Sequence, residues 1–210
     1  MSLLFKAFNP PVVASNSYII KDIESGEAAV IDAGVYNARF EAVLKSMNIE
    51  KLKYILLTHG HFDHIMGVKR LQEAFGGEIV IHSADADCLT DSRKSLAAML
   101  GFDCPSFACD KTVSDGNILT LGETPIEVIH TPGHTVGSVT YKTEKYLFTG
   151  DTLFHSSVGR TDFPGGSMEE ILSSIKRLYS LDGEYRVCPG HGDETTLSFE
   201  RENNPYTRGL

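Results

Sequence analysis

Three histidines and one aspartate are crowded into the six residues 59–64, HGHFDH. Imidazole and carboxylate groups are ligands that zinc and related divalent ions take in proteins. His59 and His61 are two residues apart, so their side chains project to the same side of an extended backbone. Asp63 and His64 are adjacent, so their side chains diverge. The run can therefore serve two metal ions about 3.5 Å apart, the separation typical of two-metal hydrolases.

A purely structural role is the alternative for this run. It follows the apolar strand expected at Tyr54–Leu57 and precedes a helix expected to begin near Ile65. A polar residue at such a junction can cap the helix, but a cap needs only one residue. Four ligand-type side chains exceed that need and favour a metal site.

Three further ligand types lie downstream in short loops of small residues. His134 is in TPGHT (131–135), Asp151 is in TGDT (149–152) and His191 is in PGHG (189–192), each after an apolar run. The backbone can turn sharply in such loops and aim a side chain into a cleft. A set of His and Asp ligands suits zinc, and iron or manganese less selectively.

The elements that must position these loops are short strands alternating with amphipathic helices. Seven apolar runs bounded by turn residues predict strands; they are 17–21, 28–32, 54–57, 78–81, 126–129, 138–141 and 146–148. Apolar residues with helical spacing predict helices, and they start at Phe40, at Val68 before Gly76-Gly77, and at Ile171 behind a Ser167–Glu170 capping box. Several strand pairs have the spacing of hairpins, so mixed sheets with helices outside are favoured over a parallel Rossmann sheet.

Residues 83–112 interrupt this alternation. A short helix is expected at 92–100, followed by Gly101 and Pro105. A segment of this length is typical of a lid or binding loop, and a surface insertion without a role is the alternative.

Composition limits the class of protein. The 210 residues suit a single domain covering 1–210, and 19 basic against 28 acidic side chains give a net charge of −9, which disfavours nucleic-acid partners. No apolar run is long enough for a membrane helix. Four cysteines without CxxC spacing and the absence of an export signal predict a cytoplasmic protein with reduced thiols. The oligomeric state stays open, a homo-oligomer included.

Taken together, the motifs HGHFDH (59–64), TPGHT (131–135), TGDT (149–152), GRTDFPGG (159–166) and PGHG (189–192) resemble those of the metallo-β-lactamase-fold hydrolases. Their order and spacing are similar to the short, single-domain glyoxalase II type, hydroxyacylglutathione hydrolase. The resemblance runs from about Asn16 to Tyr206. It implies an α/β (α+β) fold, a four-layer αββα sandwich.

The resemblance also implies a ligand set for two divalent metal ions, with zinc expected first and iron or manganese as alternatives. The first ion would be held by His59, His61 and His134, the second by Asp63, His64 and His191, and Asp151 would bridge both. Relatives with Cys or Arg in this set, class B β-lactamases among them, are disfavoured because residues 63–64 are Asp-His and the bridging residue is Asp.

The implied activity is hydrolysis of a small-molecule thioester, S-2-hydroxyacylglutathione or a related acyl-thiol, by a metal-bridging hydroxide. Asp63 and Asp151 are the expected catalytic residues, with Asp63 accepting the proton. Arg160 and Phe163 are the expected substrate contacts. The alternative for Arg160 is a salt bridge to Asp162. Long-form relatives carry a C-terminal helical region that contacts glutathione, and the sequence given ends at Leu210, so another thiol stays open.

Two other activities remain alternatives on the same residues. A persulfide dioxygenase would hold one iron with His59, His134 and Asp151, and a lactone or phosphodiester hydrolase would use both ions. A metal-stabilised interaction module is a third, non-enzymatic alternative.

Residues outside the ligand set have more modest expectations. His155 is a candidate substrate contact. His82 and His130 are expected to be structural, and Cys188 to be buried. Asp32 is expected either to brace a ligand imidazole or to form a turn.

Overall fold

The apolar runs form two facing six-stranded sheets in the computed structural model, which describes residues 3–10 and 15–210. The first sheet has the order β1 (Leu3–Phe8), β2 (Ser17–Asp22), β3 (Ala28–Ile31), β4 (Tyr54–Leu56), β5 (Glu78–His82) and β6 (Lys111–Val113). The second has the order β14-β13-β10-β9-β8-β7, with β7 (Ile118–Leu121), β8 (Thr124–His130), β9 (Val139–Lys142), β10 (Tyr146–Gly150), β13 (Arg186–Pro189) and β14 (Thr195–Thr196). A small hairpin, β11 (Leu153–Phe154) and β12 (Ser157–Val158), follows β10.

Helices cover the outer face of each sheet. They are α1 (Ala38–Ser46), α2 (Phe62–Ile65), α3 (Val68–Phe75), α4 (Ala97–Leu100), α5 (Met168–Tyr179) and α6 (Leu197–Asn203), with a 3-10 helix at Ser83–Leu89. Apolar residues of α1 and α3 pack on the first sheet, and those of α5 and α6 pack on the second. A third apolar cluster fills the space between the sheets. This is the αββα sandwich, and the expected fold class is confirmed.

The strand directions explain why distant loops meet. Strands β3, β4 and β5 are parallel, as are β10 and β13, and β8 runs in the direction of β10 because both are antiparallel to β9. The carboxyl ends of parallel strands lie at one edge of a sheet. The loops after β4, β8, β10 and β13 carry the predicted ligands, and they converge at this edge.

All seven predicted strands are present, with ends shifted by at most two residues. The helix predicted after Asp63-His64 begins earlier, because Asp63 and His64 themselves lie on the short helix α2. The α5 capping box is only half formed. The Ser167 hydroxyl accepts from the Glu170 backbone N–H at 3.3 Å, but the Ser167 N–H donates to the Gly133 carbonyl at 2.8 Å. Ser167 thus ties α5 to the loop that carries His134.

Residues 83–112 contain less helix than expected. The helix predicted at 92–100 is confined to α4, because Leu96 has a left-handed backbone with φ of +66°. Leu96 and Ala97 are buried against Phe62, and the Phe102 ring stacks on the Phe62 ring at 4.5 Å. The segment therefore packs beside the 59–64 run, and a lid function for it stays a prediction.

No helix among the described residues has the length and apolarity to cross a membrane.

Candidate metal centre

The first group of candidate ligands is buried. One ring nitrogen of each of His59, His61 and His134 lies within 4.8 Å of the others. His61 Nδ1 and His134 Nε2 are 2.8 Å apart, and all three side chains are buried. The structure therefore joins residues 59 and 61 of one loop with residue 134 of another, as the sequence predicted.

The second group is more open. Asp63, His64 and His191 also offer atoms within 4.8 Å of one another. His191 Nε2 lies 3.1 Å from Asp63 Oδ2, and the His191 side chain is 40% exposed. Solvent therefore reaches this group from the His191 side.

Asp151 lies between the two groups. Its carboxylate oxygens are 3.3 Å from His64 Nε2, 3.5 Å from His134 Nε2 and 3.6 Å from His191 Nε2. It also forms a third close group with His59 and His64. A carboxylate in this position can serve two ions at once.

The donor atoms fit divalent ions. Among the described residues, His59 Nε2, His64 Nε2 and Asp151 Oδ1 are buried without a hydrogen-bond partner, although buried polar atoms are nearly always paired. Burial, reinforced by the neighbouring imidazoles, holds the pKa of His59 well below its ordinary value and lowers the pKa of His61 to about 3. These histidines therefore stay neutral, which is the form that binds metal.

The Asp151 carboxyl is ionised because imidazoles surround it. Burial alone would raise the pKa of Asp151, but His64 and the other imidazoles hold that pKa well below the usual range. Burial has the opposite effect on a histidine and would lower the pKa of His64, but the charges of Asp32, Asp151 and Asp63 hold that pKa well above its ordinary value. This concentration of negative charge favours a cation at the site.

The Asp32 carboxylate contacts the His64 ring on the side away from Asp151, in agreement with the expectation that Asp32 braces a ligand imidazole. Asp32 Oδ2 lies 2.8 Å from His64 Nδ1 and accepts a hydrogen bond from the Thr58 hydroxyl at 2.7 Å. Asp32 Oδ1 accepts from the Thr58 backbone N–H at 2.8 Å. The contact leaves His64 Nε2 directed toward Asp151, so it sets the orientation of the ring.

We expect Asp32→Asn to weaken metal binding by about 10- to 100-fold, the usual effect of removing a carboxylate behind a ligand imidazole. Asn tolerates the left-handed backbone of residue 32, whose φ is +53°, so the change tests the charge rather than the turn. Metal affinity is measured by competition with a chelator, with the exposed Asp103→Asn as control. Equal affinities in the two variants would contradict the bracing role.

Two of the predicted substrate contacts, Arg160 and Phe163, lie beside the first ligand group. The Arg160 carbonyl lies 2.8 Å from His134 Nδ1, so this residue borders the site. Its guanidinium lies 3.9 Å from the Phe163 ring centre and makes two hydrogen bonds to Asp162, at 2.7 and 2.6 Å. The Phe163 ring lies 6.0 Å from the His61 ring. Both the salt bridge and the position beside the site are therefore present.

His155 is exposed and packs against Phe199, with ring centres 5.3 Å apart, and it belongs to none of the three ligand groups. Its neighbour Phe154 lies 6.3 Å from His191, edge to face. Phe154 is a candidate wall of the site that sequence reasoning missed. A single aromatic residue four positions after the end of β10 gives no signal of its own.

The other histidines are structural, as expected. The rings of His82 and His130 stack on each other at 4.3 Å, and the His130 Nε2 is 2.9 Å from the Val136 carbonyl. Cys188 is buried between the sheets. All four thiols are free.

The loop that carries His191 is held by residues that the sequence did not single out. The Asn16 side-chain amide donates to the carbonyls of Pro189 and Gly192, and the Tyr18 hydroxyl donates to the Pro189 carbonyl at 2.8 Å. These contacts join positions more than 170 apart in the chain, so no local pattern reveals them.

A two-sheet sandwich with helices outside, and a cluster of His and Asp at one edge of the sheets, defines a metal-binding αββα protein. Residues 10–191 match the family model described as the metallo-beta-lactamase superfamily, and the chain belongs to that superfamily.

Two curated relatives match almost the whole chain. One, from Haemophilus influenzae, is named hydroxyacylglutathione hydrolase GloC and is 36% identical over 93% of this chain and 95% of its own. Another, from Bacillus subtilis, is named probable metallo-hydrolase YqgX and is 32% identical over 95% of each chain.

Solved structures agree with this placement. The BLEG-1 B3 metallo-beta-lactamase superposes with a TM-score of 0.87 at 33% identity, over 98% of this chain and 100% of its own. TTHA1623, crystallised in a di-iron-bound form, superposes with a TM-score of 0.82 at 32% identity, over 97% and 99%.

Proposed function

We propose that this protein is a dinuclear metal-dependent hydrolase that cleaves the thioester of an acyl-thiol, S-2-hydroxyacylglutathione or a related compound. The observation that carries the proposal is the position of Asp151 between two groups of buried imidazole and carboxylate donors. The 36% identity to a relative named hydroxyacylglutathione hydrolase supports the thioester as substrate.

His59, His61 and His134 would hold one ion, Asp63, His64 and His191 the other, and Asp151 both. Bound divalent ions would supply Lewis acidity toward a carbonyl and would lower the pKa of water to about 7. Zinc is expected first, and the di-iron form of TTHA1623 makes iron a specific alternative.

Asp63 is suited to orient the attacking water and to accept its proton. Burial raises the pKa of this carboxyl, but His64 and the hydrogen bond from His191 outweigh that effect and lower it. Asp63 is therefore ionised at neutral pH, the form needed to accept a hydrogen bond and then a proton from the water. Its side chain is 17% exposed on the open side of the site, where water enters.

A thioester matches these residues because its leaving group needs little help. A thiol has a pKa of about 8.5, so a thiolate departs without a general acid. The groups around Asp151 are ligand-type residues that would be engaged with the ions, and a thioester requires none of them to donate a proton to its leaving group.

Arg160 and Phe163 would bind the substrate beside the first ligand group. We expect Arg160→Ala to raise KM about tenfold with little change in kcat, since a hydrogen bond to a charged group contributes about 1.5 kcal/mol or more. Arg93→Ala is a matched control because Arg93 pairs with Asp91, also two residues away, at an exposed site. An unchanged KM for Arg160→Ala would contradict substrate binding by Arg160 and would leave the ion pair with Asp162 as its only role.

The experiment that tests the proposal combines metal analysis with turnover. Purified protein should contain about two equivalents of metal and hydrolyse S-lactoylglutathione. Chelator should abolish turnover, and restored zinc or iron should return it. We expect the far-UV spectrum to survive chelation because the apolar clusters lie outside the ligand groups.

Two parallel assays decide between activities. Oxygen uptake with glutathione persulfide, together with one iron and no thioesterase activity, would replace the proposal with a dioxygenase. Hydrolysis of a chromogenic cephalosporin faster than any thioester would replace it with a β-lactamase, the activity named for BLEG-1.

A further inference from the structure

Asp85 is a buried carboxylate in residues 83–112, the segment for which the sequence left a lid or binding loop and a surface insertion as alternatives. It lies on the 3-10 helix Ser83–Leu89 that opens this segment, and it is 1% exposed. It accepts three hydrogen bonds: from the Gly60 N–H at 3.1 Å, the Gly137 N–H at 2.8 Å and the Thr135 hydroxyl at 2.7 Å.

These donors belong to the two loops that carry the first ligand group. Gly60 lies between His59 and His61, and Thr135 follows His134. One carboxylate thus joins the loop after β4 to the loop after β8. Gly60 and Thr135 are each adjacent to a candidate ligand, and Gly137 lies three residues after His134.

Glycine is needed for this approach. A Cβ on Gly137 would lie 2.5 Å from the Asp85 Cγ and Oδ1 atoms, and a Cβ on Gly60 would lie 2.3 Å from the Cβ of Cys88 on the same 3-10 helix. The 3-10 helix is therefore fitted against both loops, with Asp85 between them.

We propose that Asp85 is a positioning residue that sets the spacing of His59 and His61 relative to His134, and thereby the affinity of this ligand group for its ion. The inference rests on the metal centre of the proposed function and is independent of which substrate is hydrolysed. It assigns a role to the 3-10 helix at the beginning of 83–112, which holds the two ligand-bearing loops at a fixed distance.

The substitution Asp85→Asn tests a single contact. The Gly137 N–H at Oδ1 and the Gly60 N–H at Oδ2 can only donate, so the single amide oxygen of Asn accepts from one of them and the amide nitrogen faces the other. Where the nitrogen occupies the Oδ2 position, the Thr135 hydroxyl can turn to accept from it. In either orientation, one backbone hydrogen bond between the 3-10 helix and a ligand-bearing loop is lost.

The matched control is Asp87→Asn, on the same 3-10 helix, where the carboxylate is exposed and pairs with Lys94. Both variants and the wild type are loaded with zinc and titrated with a chelator. We expect the control to retain both ions as the wild type does. Asp85→Asn should release one ion at a chelator concentration about tenfold lower, with the other ion unaffected.

The His191→Ala background identifies which ion is weakened, because His191 contributes only to the second ligand group. In that background the ion held by His59, His61 and His134 should show the same tenfold loss on adding Asp85→Asn. Thermal midpoints of the metal-free proteins report any general loss of stability.

Thr135 supplies a second test if Asp85→Asn does not fold. Thr135→Val removes the hydroxyl and should weaken the same ion, whereas Thr135→Ser keeps the hydroxyl and should restore wild-type affinity. A Ser variant as weak as the Val variant would contradict the inference.

The outcomes separate this inference from the proposed function. Equal chelator curves for Asp85→Asn and Asp87→Asn, or equal weakening of both ions with a lowered metal-free midpoint, overturn the positioning role while leaving hydrolysis intact. Selective loss of one ion in a protein that hydrolyses no thioester supports the positioning role and overturns the proposed substrate. A wild type that binds no metal overturns both.

Discussion

Asp151→Ala should lose bound metal and activity together, with kcat/KM at least about 10³-fold lower. Asp151 is the carboxylate whose oxygens approach His64, His134 and His191 within 3.6 Å. Its removal takes away the negative charge between the two ligand groups and leaves the histidines facing one another. Metal content is measured by elemental analysis and turnover with S-lactoylglutathione.

Two further variants make this result specific. Asp182→Ala, at an exposed position after α5, should keep both metal and activity. Asp151→Asn preserves the shape of the side chain but not its charge, so a loss as large as that of Ala assigns the effect to the charge. Full activity in Asp151→Ala would contradict the bridging role.

Gly190→Ala should have an effect of similar kind, at least about 10²-fold in kcat/KM, although residue 190 contributes no ligand. A Cβ at this position would lie 2.2 Å from Asp151 Oδ1 and 2.7 Å from His64 Cε1. The backbone cannot retreat, because the Gly190 N–H donates to the Gly150 carbonyl at 2.8 Å and its carbonyl accepts from the Asn16 N–H at 2.7 Å. The methyl group must therefore displace the two ligands.

Gly192→Ala is the control in the same loop. Residue 192 has a left-handed φ of +76°, but a Cβ there meets nothing within 4 Å. Its cost should be limited to about 1 kcal/mol of unfolding free energy from backbone strain, with metal content retained. Thermal unfolding and metal analysis of both variants distinguish displaced ligands from a strained loop. Equal metal contents in Gly190→Ala and the wild type would show that the site tolerates the methyl group.

The two variants perturb the same carboxylate in different ways. Asp151→Ala removes a donor, whereas Gly190→Ala keeps every donor but changes the positions of Asp151 and His64. Loss of metal in both would indicate that the spacing of the donors matters as much as their chemistry.

The amino-acid sequence alone predicted which ligand-type residues this protein offers. The ligand types at 59–64, 134, 151 and 191, and the short apolar runs that precede them, are local features. They predicted mixed sheets with helices outside and a cluster of metal-ligand types, and the resemblance carried by the motifs implied the αββα fold. Hydrophobic periodicity and side-chain chemistry can be recognised from neighbours a few positions apart, which is why these predictions held.

The tertiary structure decided what holds the ligands in place. Asp85, Asn16, Gly190 and Phe154 act on residues that lie far away in the chain or approach only after folding, and their types occur at many positions without such a role. Asp63 and His64 were expected in a loop before the helix but lie on a helical turn, since Phe62 packs against Leu96 and its N–H donates to the Ser95 carbonyl. Spacing along a chain specifies which groups are available, whereas the distances between them depend on long-range packing and hydrogen bonds that only the folded protein contains.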